Sequence, residues 1–191
     1  MSATEDQTRG ATLLALARAA IASQFGRSHA ADDAASWLRE PGACFVTLTQ
    51  HGELRGCIGT LQAHRPLRDD VRANAVAAAL RDPRFAPLSA TELDHTELEV
   101  SLLSPMQALA FDSEAEALAR LRPGIDGVVF EYGSRRSTFL PQVWEQLPRV
   151  DDFMAQLKRK AGLPAGFWHD EVRLQRYSVS KWKESELRLA A

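Results

Sequence analysis

Hydrophobic side chains alternate with polar ones in several short segments of this chain, and this two-residue period predicts β-strands. The clearest example is segment 97–104, where Leu98 and Val100 share one face and polar side chains occupy the other, as in a half-buried strand. Two pairs of neighbouring strands are joined by turn residues, such as His51 and Gly52, and predict hairpins. The predicted strands span residues 43–50, 53–61, 97–104, 127–132, 135–140 and 172–182.

Other segments repeat their apolar residues at helical spacing, as Leu13, Leu16 and Ile21 do on one stripe of the first. Ser89 and Glu92 form a capping box that is typical of a short helical turn. The longer predicted helices span residues 8–25, 66–81, 113–121 and 151–161. Because the strands come partly as adjacent hairpins and partly between helices, we predict an α+β fold. A mainly antiparallel sheet with flanking helices explains this order better than a doubly wound parallel sheet does.

The length of the chain predicts one folded unit. A chain of 191 residues can bury a sizeable core without disulfides. Its 45% hydrophobic and 25% charged residues are typical of a globular protein. We expect a single domain over residues 10–184, with a flexible N-terminal tail at residues 1–9 and a C-terminal tail at residues 185–191.

The charge and the hydropathy of the chain indicate which classes of partner and which cellular compartment to expect. The formal net charge is -2, without the basic excess of a nucleic-acid-binding domain, so we expect no nucleic-acid partner. The chain has no run near the roughly 18 apolar residues that a membrane helix needs, so we expect no membrane partner. Two cysteines are too few for a disulfide framework, and no apolar secretory leader is visible. We therefore predict a cytoplasmic protein.

The segment from Leu54 to Gly59 is unusual for a strand because Gly56 and Gly59 bracket Cys57. Glycine inside a strand often marks a bulge, or a place where a ligand or another backbone comes close. In a regular strand Arg55 and Cys57 would share a face, and an adjacent cation lowers the pKa of a thiol and favours the reactive thiolate. Cys57 is thus a candidate nucleophile, Arg55 its stabiliser, and the glycine backbone a ligand surface.

A second interpretation of the same segment stays open. Unpaired cysteine is among the most buried residue types, so Cys57 can also be a small packing residue. A two-residue turn at His51 and Gly52 would place Arg55 opposite Leu48, an unfavourable neighbour for a charge. We therefore expect either a bulge that shifts the register or an Arg55 side chain that leaves the core face for a cleft.

Four further residues are candidate ligand-binding groups. Arg84 lies in a proline-bounded loop and could bind a carboxylate or phosphate through two parallel hydrogen bonds, which suits a small anionic ligand. Glu99 and Ser101 occupy the polar face of a strand, and Gln142 follows a proline at a turn. We expect at least two of Arg84, Glu99 and Gln142 to reach one cavity.

No cofactor can be assigned from the chain. A Gly-rich dinucleotide fingerprint and a P-loop are both absent. The histidines are scattered, so we predict no metal site, although thiolate and imidazole ligands would suit zinc or copper if Cys57 approached Cys44 or a histidine.

Residues 54–59, Leu-Arg-Gly-Cys-Ile-Gly, resemble the signature of the AmmeMemoRadiSam system protein A family. Its human member is named after a contiguous-deletion syndrome with Alport features, midface hypoplasia and elliptocytosis. Downstream segments resemble other blocks of the family in the family order, so that the resemblance covers about residues 10–184. These segments are Asp82-Pro83-Arg84-Phe85-Ala86-Pro87-Leu88, Leu98-Glu99-Val100-Ser101-Leu102-Leu103, Phe139-Leu140-Pro141-Gln142-Val143-Trp144 and Lys160-Ala161-Gly162-Leu163.

The resemblance implies an α+β fold in two unequal lobes, with the signature segment near the cleft between them. It implies no settled activity. The family name associates bacterial members with a Memo-like protein and a radical S-adenosylmethionine protein, which suggests a shared pathway.

Two classes of function follow for this chain, and its residues leave open whether it is an enzyme. In the first, the protein binds or transforms a small molecule in a cleft centred on residues 54–59. In the second, it is a non-catalytic adaptor in which Cys57 is structural.

Overall fold

The structure is a computed structural model that describes residues 2–189 and has an α+β fold, as predicted. The helices are α1 (Ala3–Ser23), α2 (Leu67–Leu80), α3 (Ala90–Leu93), α4 (Glu114–Arg120), α5 (Val150–Lys160) and α6 (Glu184–Leu189). The strands are β1 (Cys44–Gln50), β2 (Glu53–Gly59), β3 (Glu97–Leu103), β4 (Gln107–Leu109), β5 (Gly127–Tyr132), β6 (Arg135–Phe139), β7 (Arg173–Tyr177) and β8 (Val179–Lys183). Short 3₁₀ helices span Ser36–Arg39 and Pro141–Glu145.

The chain divides into two compact units of unequal length. The first comprises residues 2–103 and 180–189 of the described chain, and the second comprises residues 104–179. The assignment of residues 10–184 to a single domain stays a prediction. Among residues 2–189, none of the helices combines the length and the apolar character needed to cross a bilayer.

The first unit contains a four-stranded sheet in the order β2-β1-β3-β8, with β1 antiparallel to both β2 and β3. Alternate residues of its strands, such as Val46, Leu48 and Val100, are fully buried and join side chains of α1 and α2 in one hydrophobic core. The intervening residues of β1, including Thr47, point to the opposite face and are only half-buried. The sheet therefore has one apolar face under the helices and one more polar face.

The second unit contains a sheet in the order β4-β7-β5-β6, in which every neighbouring pair is antiparallel. Its core includes Phe130 and Leu174 of the sheet with Phe153 and Leu157 of α5. Trp144 stacks on Phe153 with ring centroids 3.7 Å apart. Trp144 is therefore part of the core of the second unit.

The prediction of one long strand over residues 172–182 is wrong, because β7 and β8 are separate strands in different sheets. The break falls at Ser178, whose carbonyl accepts a hydrogen bond from the Ser104 N–H at 2.9 Å. Within β7 the buried residues Leu174 and Tyr177 are three positions apart, so a strict two-residue alternation is already lost there. Simple periodicity gave no signal for a change of sheet.

Both chain ends contain helix where tails were predicted. Helix α1 begins at Ala3, five residues before the predicted start, and a capping box formed by Ser2 and Glu5 stabilises its first turn. Residues 3–9 are therefore helical. At the other end, α6 spans Glu184–Leu189 and so covers residues 185–189 of the predicted C-terminal tail, while residues 190 and 191 lie outside the described chain.

Candidate functional site

The signature strand β2 is an edge strand that returns from β1 through a two-residue turn. His51 and Gly52 have φ angles of 52° and 82°, as this tight hairpin turn requires. Leu48 pairs with Gly56, but Thr49 pairs with Leu54, so Arg55 is the extra residue of a β-bulge. Of the two alternatives expected for Arg55, the structure shows the shifted register.

The charged partner of Arg55 is a carboxylate. Its Nε and Nη2 atoms lie 3.1 Å and 3.0 Å from Glu92 Oε1. Glu92 also accepts hydrogen bonds from Ser89, and these bonds, followed by the Arg55 contact, hold the pKa of Glu92 below its usual value. Arg55 Nη1 is buried and has no acceptor among the described residues. The role of Arg55 as a thiolate stabiliser stays a prediction.

Packing inside the first unit already requires glycine at both signature positions. A Cβ atom on Gly56 would lie 2.2 Å from the carbonyl oxygen of Ala78 in α2. A Cβ atom on Gly59 would lie 2.2 Å from the ring of Phe45, its partner in β1. Close approach of another backbone was one of the reasons expected for glycine here, and α2 provides it at Gly56. A ligand role for Gly56 and Gly59 stays a prediction.

The main chain of Cys57 is held on its outer side by Asp82 and Arg84. The Cys57 N–H donates to Asp82 Oδ2 at 2.9 Å, and the Cys57 carbonyl accepts from Arg84 Nη2 at 3.2 Å. An edge strand leaves such groups without a partner strand, so these two residues complete the hydrogen bonding of β2 at Cys57. We refer to Asp82 and Arg84 together as the edge clasp.

The edge clasp is itself tightly bonded. The Asp82 side chain is 2% exposed and accepts hydrogen bonds from Arg84 N, Nε and Nη2 at 3.1, 2.9 and 2.7 Å. The hydrogen bond from Arg84 is the largest cause that holds the pKa of Asp82 far below its usual value. Reciprocally, the hydrogen bond to Asp82 is the largest cause that raises the pKa of Arg84.

These bonds limit how Arg84 can contact the predicted ligand, and its ligand role stays a prediction. Its Nε and Nη2 atoms donate hydrogen bonds to Asp82, and Nη2 also donates to the Cys57 carbonyl. The two-bond clamp predicted for a ligand is therefore occupied by Asp82. Only Nη1 has no acceptor among the described residues, and the Arg84 side chain is 52% exposed.

The side chain of Cys57 lies on the polar face of the sheet. Thr47 pairs with Cys57 on one side and with Glu99 on the other, and its hydroxyl donates to the Cys57 sulfur at 3.4 Å. Glu99 Oε2 lies 3.7 Å from Lys183 Nζ. We call these four residues the polar row. They place a thiol, a hydroxyl, a carboxylate and an ammonium group across all four strands.

Three of the predicted site residues lie together. Cys57 and Glu99 belong to the polar row, and the Ser101 hydroxyl donates to Glu99 Oε1 at 3.4 Å. Ser101 was expected on the solvent side, but it is only 8% exposed. Gln142 lies in the 3₁₀ helix Pro141–Glu145 of the second unit, with an exposed side chain, and its ligand role stays a prediction.

A distinct cavity of about 610 Å³ lies elsewhere in the first unit. Residues of α1 and α2, such as Ala20, Arg72 and Val76, line it together with Gln24, which follows α1. None of the predicted site residues contributes to its lining. The expectation that at least two of Arg84, Glu99 and Gln142 reach one cavity stays a prediction.

Three residues near Cys57 or in the polar row were not among the predicted site residues. These residues are Thr47, Asp82 and Lys183. The register of the hairpin would have identified Thr47 as the neighbour of Cys57 if the bulge had been located. No local signal in the sequence shows that Asp82, 25 residues away, binds the Cys57 N–H.

The second cysteine has a different environment. Cys44 is completely buried in the hydrophobic core, and its thiol donates to Asp70 Oδ2 at 3.3 Å. Burial, followed by the charge of Asp70, raises the pKa of the Cys44 thiol well above its usual value. Cys44 and Cys57 thus face opposite sides of the sheet and do not form the metal-binding pair that was considered. Within residues 2–189, no three His, Cys, Asp or Glu side chains are grouped to hold a metal ion.

Comparisons with known proteins agree with the resemblance seen in the sequence. A family model described as AMMECR1 matches residues 14–182. A protein of Methanothermobacter thermautotrophicus is 36% identical over 184 residues, which is 92% of this chain and 94% of that protein. A protein of Thermotoga maritima is 41% identical over 147 residues, covering 76% of this chain and 79% of its own length.

A solved structure has a similar fold. The crystal structure of the uncharacterized protein PH0010 from Pyrococcus horikoshii matches with a TM-score of 0.75 and 30% identity. The match covers 92% of this chain and 91% of that one. None of these three relatives has a name that states an activity.

Proposed function

Because the chain belongs to the AMMECR1 family, whose relatives named above have no stated activity, we propose a function from its own residues. The protein binds a small molecule on the polar row, and the Cys57 thiol is the group that meets it. This proposal rests on the surroundings of the Cys57 thiol. Cys57 is half-buried, its peptide is held by the edge clasp, and its sulfur accepts a hydrogen bond from Thr47.

The contrast between the two cysteines supports this proposal. Cys44 has the properties of a packing cysteine, because it is completely buried and its pKa is raised. Cys57 instead lies beside a hydroxyl donor and a guanidinium group, the kind of polar surroundings that reactive thiols have. Cys57 therefore acts as a nucleophile or as a thiol ligand for the bound molecule.

Other polar side chains on this face of the sheet can contact the part of the bound small molecule that lies farther from Cys57. Adjacent strands lie about 4.8 Å apart, so Glu99 is roughly 10 Å from Cys57 across β1. The carboxylate of Glu99 and the hydroxyl of Ser101 can bind polar groups at that distance, and Lys183 balances the charge of Glu99. Gly56 and Gly59, in the same unit, remain proposed ligand contacts.

The cellular setting is proposed on the same basis. A reducing cytoplasm suits a site that needs a free thiol. The resemblance to the AmmeMemoRadiSam family supports a pathway shared with a Memo-like protein and a radical S-adenosylmethionine protein.

Alkylation of the folded protein by iodoacetamide at pH 7 tests the proposal. Mass spectrometry of the peptides should show rapid modification of Cys57 and none of Cys44, whereas both should react after unfolding in guanidinium chloride. The Cys57→Ala variant should fold with unchanged stability and lose the rapid reaction. If Cys57 reacts only after unfolding, together with Cys44, the proposal is wrong and the alternative of a non-catalytic adaptor with a structural Cys57 is preferred.

A further inference from the structure

We infer that the molecule that meets Cys57 is a small anionic electrophile, with a carboxylate next to the reacting carbon, and that Arg84 Nη1 binds this carboxylate. The inference rests on the proposed function, since it requires an accessible Cys57. It goes further because it names the chemical class of the ligand and assigns Asp82 the role of a positioning residue.

The first step of the argument is the fixed position of the Arg84 guanidinium. Its Nη2 atom donates to the carbonyl of Cys57 itself, so the cation is tied to the same residue that carries the sulfur. An unrestrained arginine side chain would lose much rotational freedom on binding an anion. Here the bonds to Asp82 and Cys57 have already restricted it, so binding requires little further ordering.

The second step concerns the donors that remain. Asp82 is buried and accepts from Cys57 N and from three nitrogens of Arg84, so its oxygens are fully used by these donors. Arg84 Nη1 has no acceptor in the described part of the chain, and more than half of the side chain is exposed. The exposed part of the edge clasp is therefore the Arg84 guanidinium, whose Nη1 hydrogens can donate to a ligand. The ion pair of Asp82 and Arg84 as a whole is formally neutral.

The third step is the chemistry that this arrangement favours. Iodoacetate serves as a probe because its carboxylate is bonded to the carbon that reacts. The Cys57 thiolate forms an S–C bond to that carbon, the C–I bond breaks, and iodide leaves with the electron pair. The thiol proton passes to the buffer. Arg84 binds the carbonyl of the residue that carries the sulfur, so a carboxylate held by its Nη1 would lie beside Cys57 and favour the anionic reagent over its neutral amide.

The chain contains a matched control in its second unit. Arg122 donates from N, Nε and Nη2 to Asp126 at 2.9, 3.0 and 2.6 Å, and Asp126 is completely buried. The Arg122 side chain is 53% exposed, nearly the same as that of Arg84. Within the described part of the chain, this second pair makes no hydrogen bond to a cysteine. Arg122→Gln therefore removes an equivalent charge from an equivalent loop without touching the thiol.

The experiment measures the rate constants for alkylation of Cys57 by iodoacetate and by iodoacetamide, and takes their ratio. The same thiolate attacks both reagents. The ratio of the two rate constants is therefore independent of the thiolate fraction and of the general accessibility of the sulfur. We expect a higher ratio in the folded protein than for Cys57 in guanidinium chloride at matched ionic strength. Arg84→Gln should lower the ratio by roughly two- to five-fold, as for an exposed charge pair, and Arg122→Gln should leave it unchanged.

Asp82→Asn tests the positioning role. The variant keeps Arg84 but removes the carboxylate that orients it, so the ratio should fall towards that of Arg84→Gln. If Arg84 bound the anion without help from Asp82, Asp82→Asn would keep the wild-type ratio, and the positioning role of Asp82 would be wrong. If either variant fails to fold, the comparison of folded and unfolded wild-type protein still decides whether the site prefers the anion.

The outcomes separate this inference from the proposed function. If both reagents modify folded Cys57 with the same ratio as the unfolded chain, or if Arg84→Gln leaves a raised ratio intact, the anion anchor is wrong and the thiol site stands. If neither reagent modifies folded Cys57, the proposed function fails, and this inference fails with it.

Discussion

Gly56 lies so close to the carbonyl oxygen of Ala78 that a methyl group on its Cα would be 2.2 Å from that oxygen. The contact joins the signature strand β2 to the end of α2. Four residues after Ala78 the chain reaches Asp82, which binds the N–H of Cys57. The glycine, the helix end and the edge clasp therefore act together to determine where Cys57 lies.

Replacement of Gly56 by alanine should destabilise the protein by about 1–3 kcal/mol, because the added methyl group meets a backbone oxygen that cannot move aside without shifting α2. Urea unfolding followed by circular dichroism measures the change. Gly166→Ala is the control, because a Cβ atom there would meet nothing within 4 Å and its φ angle is not positive. Equal stability of the two variants would show that the close contact with Ala78 does not make alanine unfavourable at position 56.

The edge clasp should make stability depend on pH in the acid range. The pKa of Asp82 is lower in the folded protein than the value of about 3.9 expected in the unfolded chain, chiefly because Arg84 donates to it. Between these two values the unfolded chain binds more protons, so the contribution of Asp82 is complete above about pH 5 and is lost as the pH falls through the acid range.

The check is urea unfolding of wild type and Asp82→Asn at several pH values from 6 to 3. Asp82→Asn should be less stable near neutrality, and its stability should fall less steeply with acid than that of wild type. Other carboxylates with lowered pKa values, such as Asp33 and Glu116, leave both proteins with some acid dependence. Parallel curves for the two proteins would contradict the prediction.

The buried carboxylate of Asp70 should be among the most important polar groups of the first unit. It accepts hydrogen bonds from Cys44 N at 2.9 Å, Thr60 Oγ1 at 2.6 Å and Arg65 Nε at 2.8 Å. Asp70→Asn replaces one acceptor oxygen by a donor and removes the charge that Arg65 faces. We expect a loss of about 2–4 kcal/mol in the free energy of unfolding.

Asp69→Asn is the matched control for Asp70→Asn. Both residues lie in the first turn of α2, so both variants lose the same favourable interaction with the helix N-terminus. The Asp69 side chain is 47% exposed, and its recorded charged contact is Arg68 at 3.7 Å. Thermal unfolding should show a change below about 1 kcal/mol for Asp69→Asn. Similar losses for both variants would mean that the network around Asp70 adds little.

The hydroxyl of Thr47 should influence the chemistry of Cys57 more than it influences stability. A hydroxyl donor stabilises a thiolate more than it stabilises a thiol, so Thr47→Val should slow alkylation by iodoacetamide at pH 7. We expect roughly a two- to ten-fold decrease, the equivalent of about 0.5–1.5 kcal/mol. Thr49→Val, on the same face of β1 but opposite Leu54, should react at the wild-type rate. Equal rates in all three proteins would exclude a role for the Thr47 hydrogen bond.

Local signals predicted most of the secondary structure. The hairpin at His51 and Gly52, the helix after Pro66 and the capping box of Ser89 and Glu92 all lie where the sequence indicated them. Each depends on residues within a few positions of one another, so the information is present in a short window. The fold class followed from the order of these elements.

The sequence by itself also identified residues 54–59 as an exceptional strand and offered the bulge as one of two explanations. Only the tertiary structure decided that Arg55 is the bulged residue and binds Glu92, that Arg84 is committed to Asp82, and that β7 and β8 belong to different sheets. The contact between Arg55 and Glu92 joins groups 37 positions apart, and the bulge and the change of sheet depend on strand pairing. Arg84 and Asp82 are only two residues apart, but the orientation of their side chains is likewise not contained in hydrophobic periodicity. The amino-acid pattern determines which face of an element is buried, whereas the packing of distant elements determines which polar groups are left free to bind.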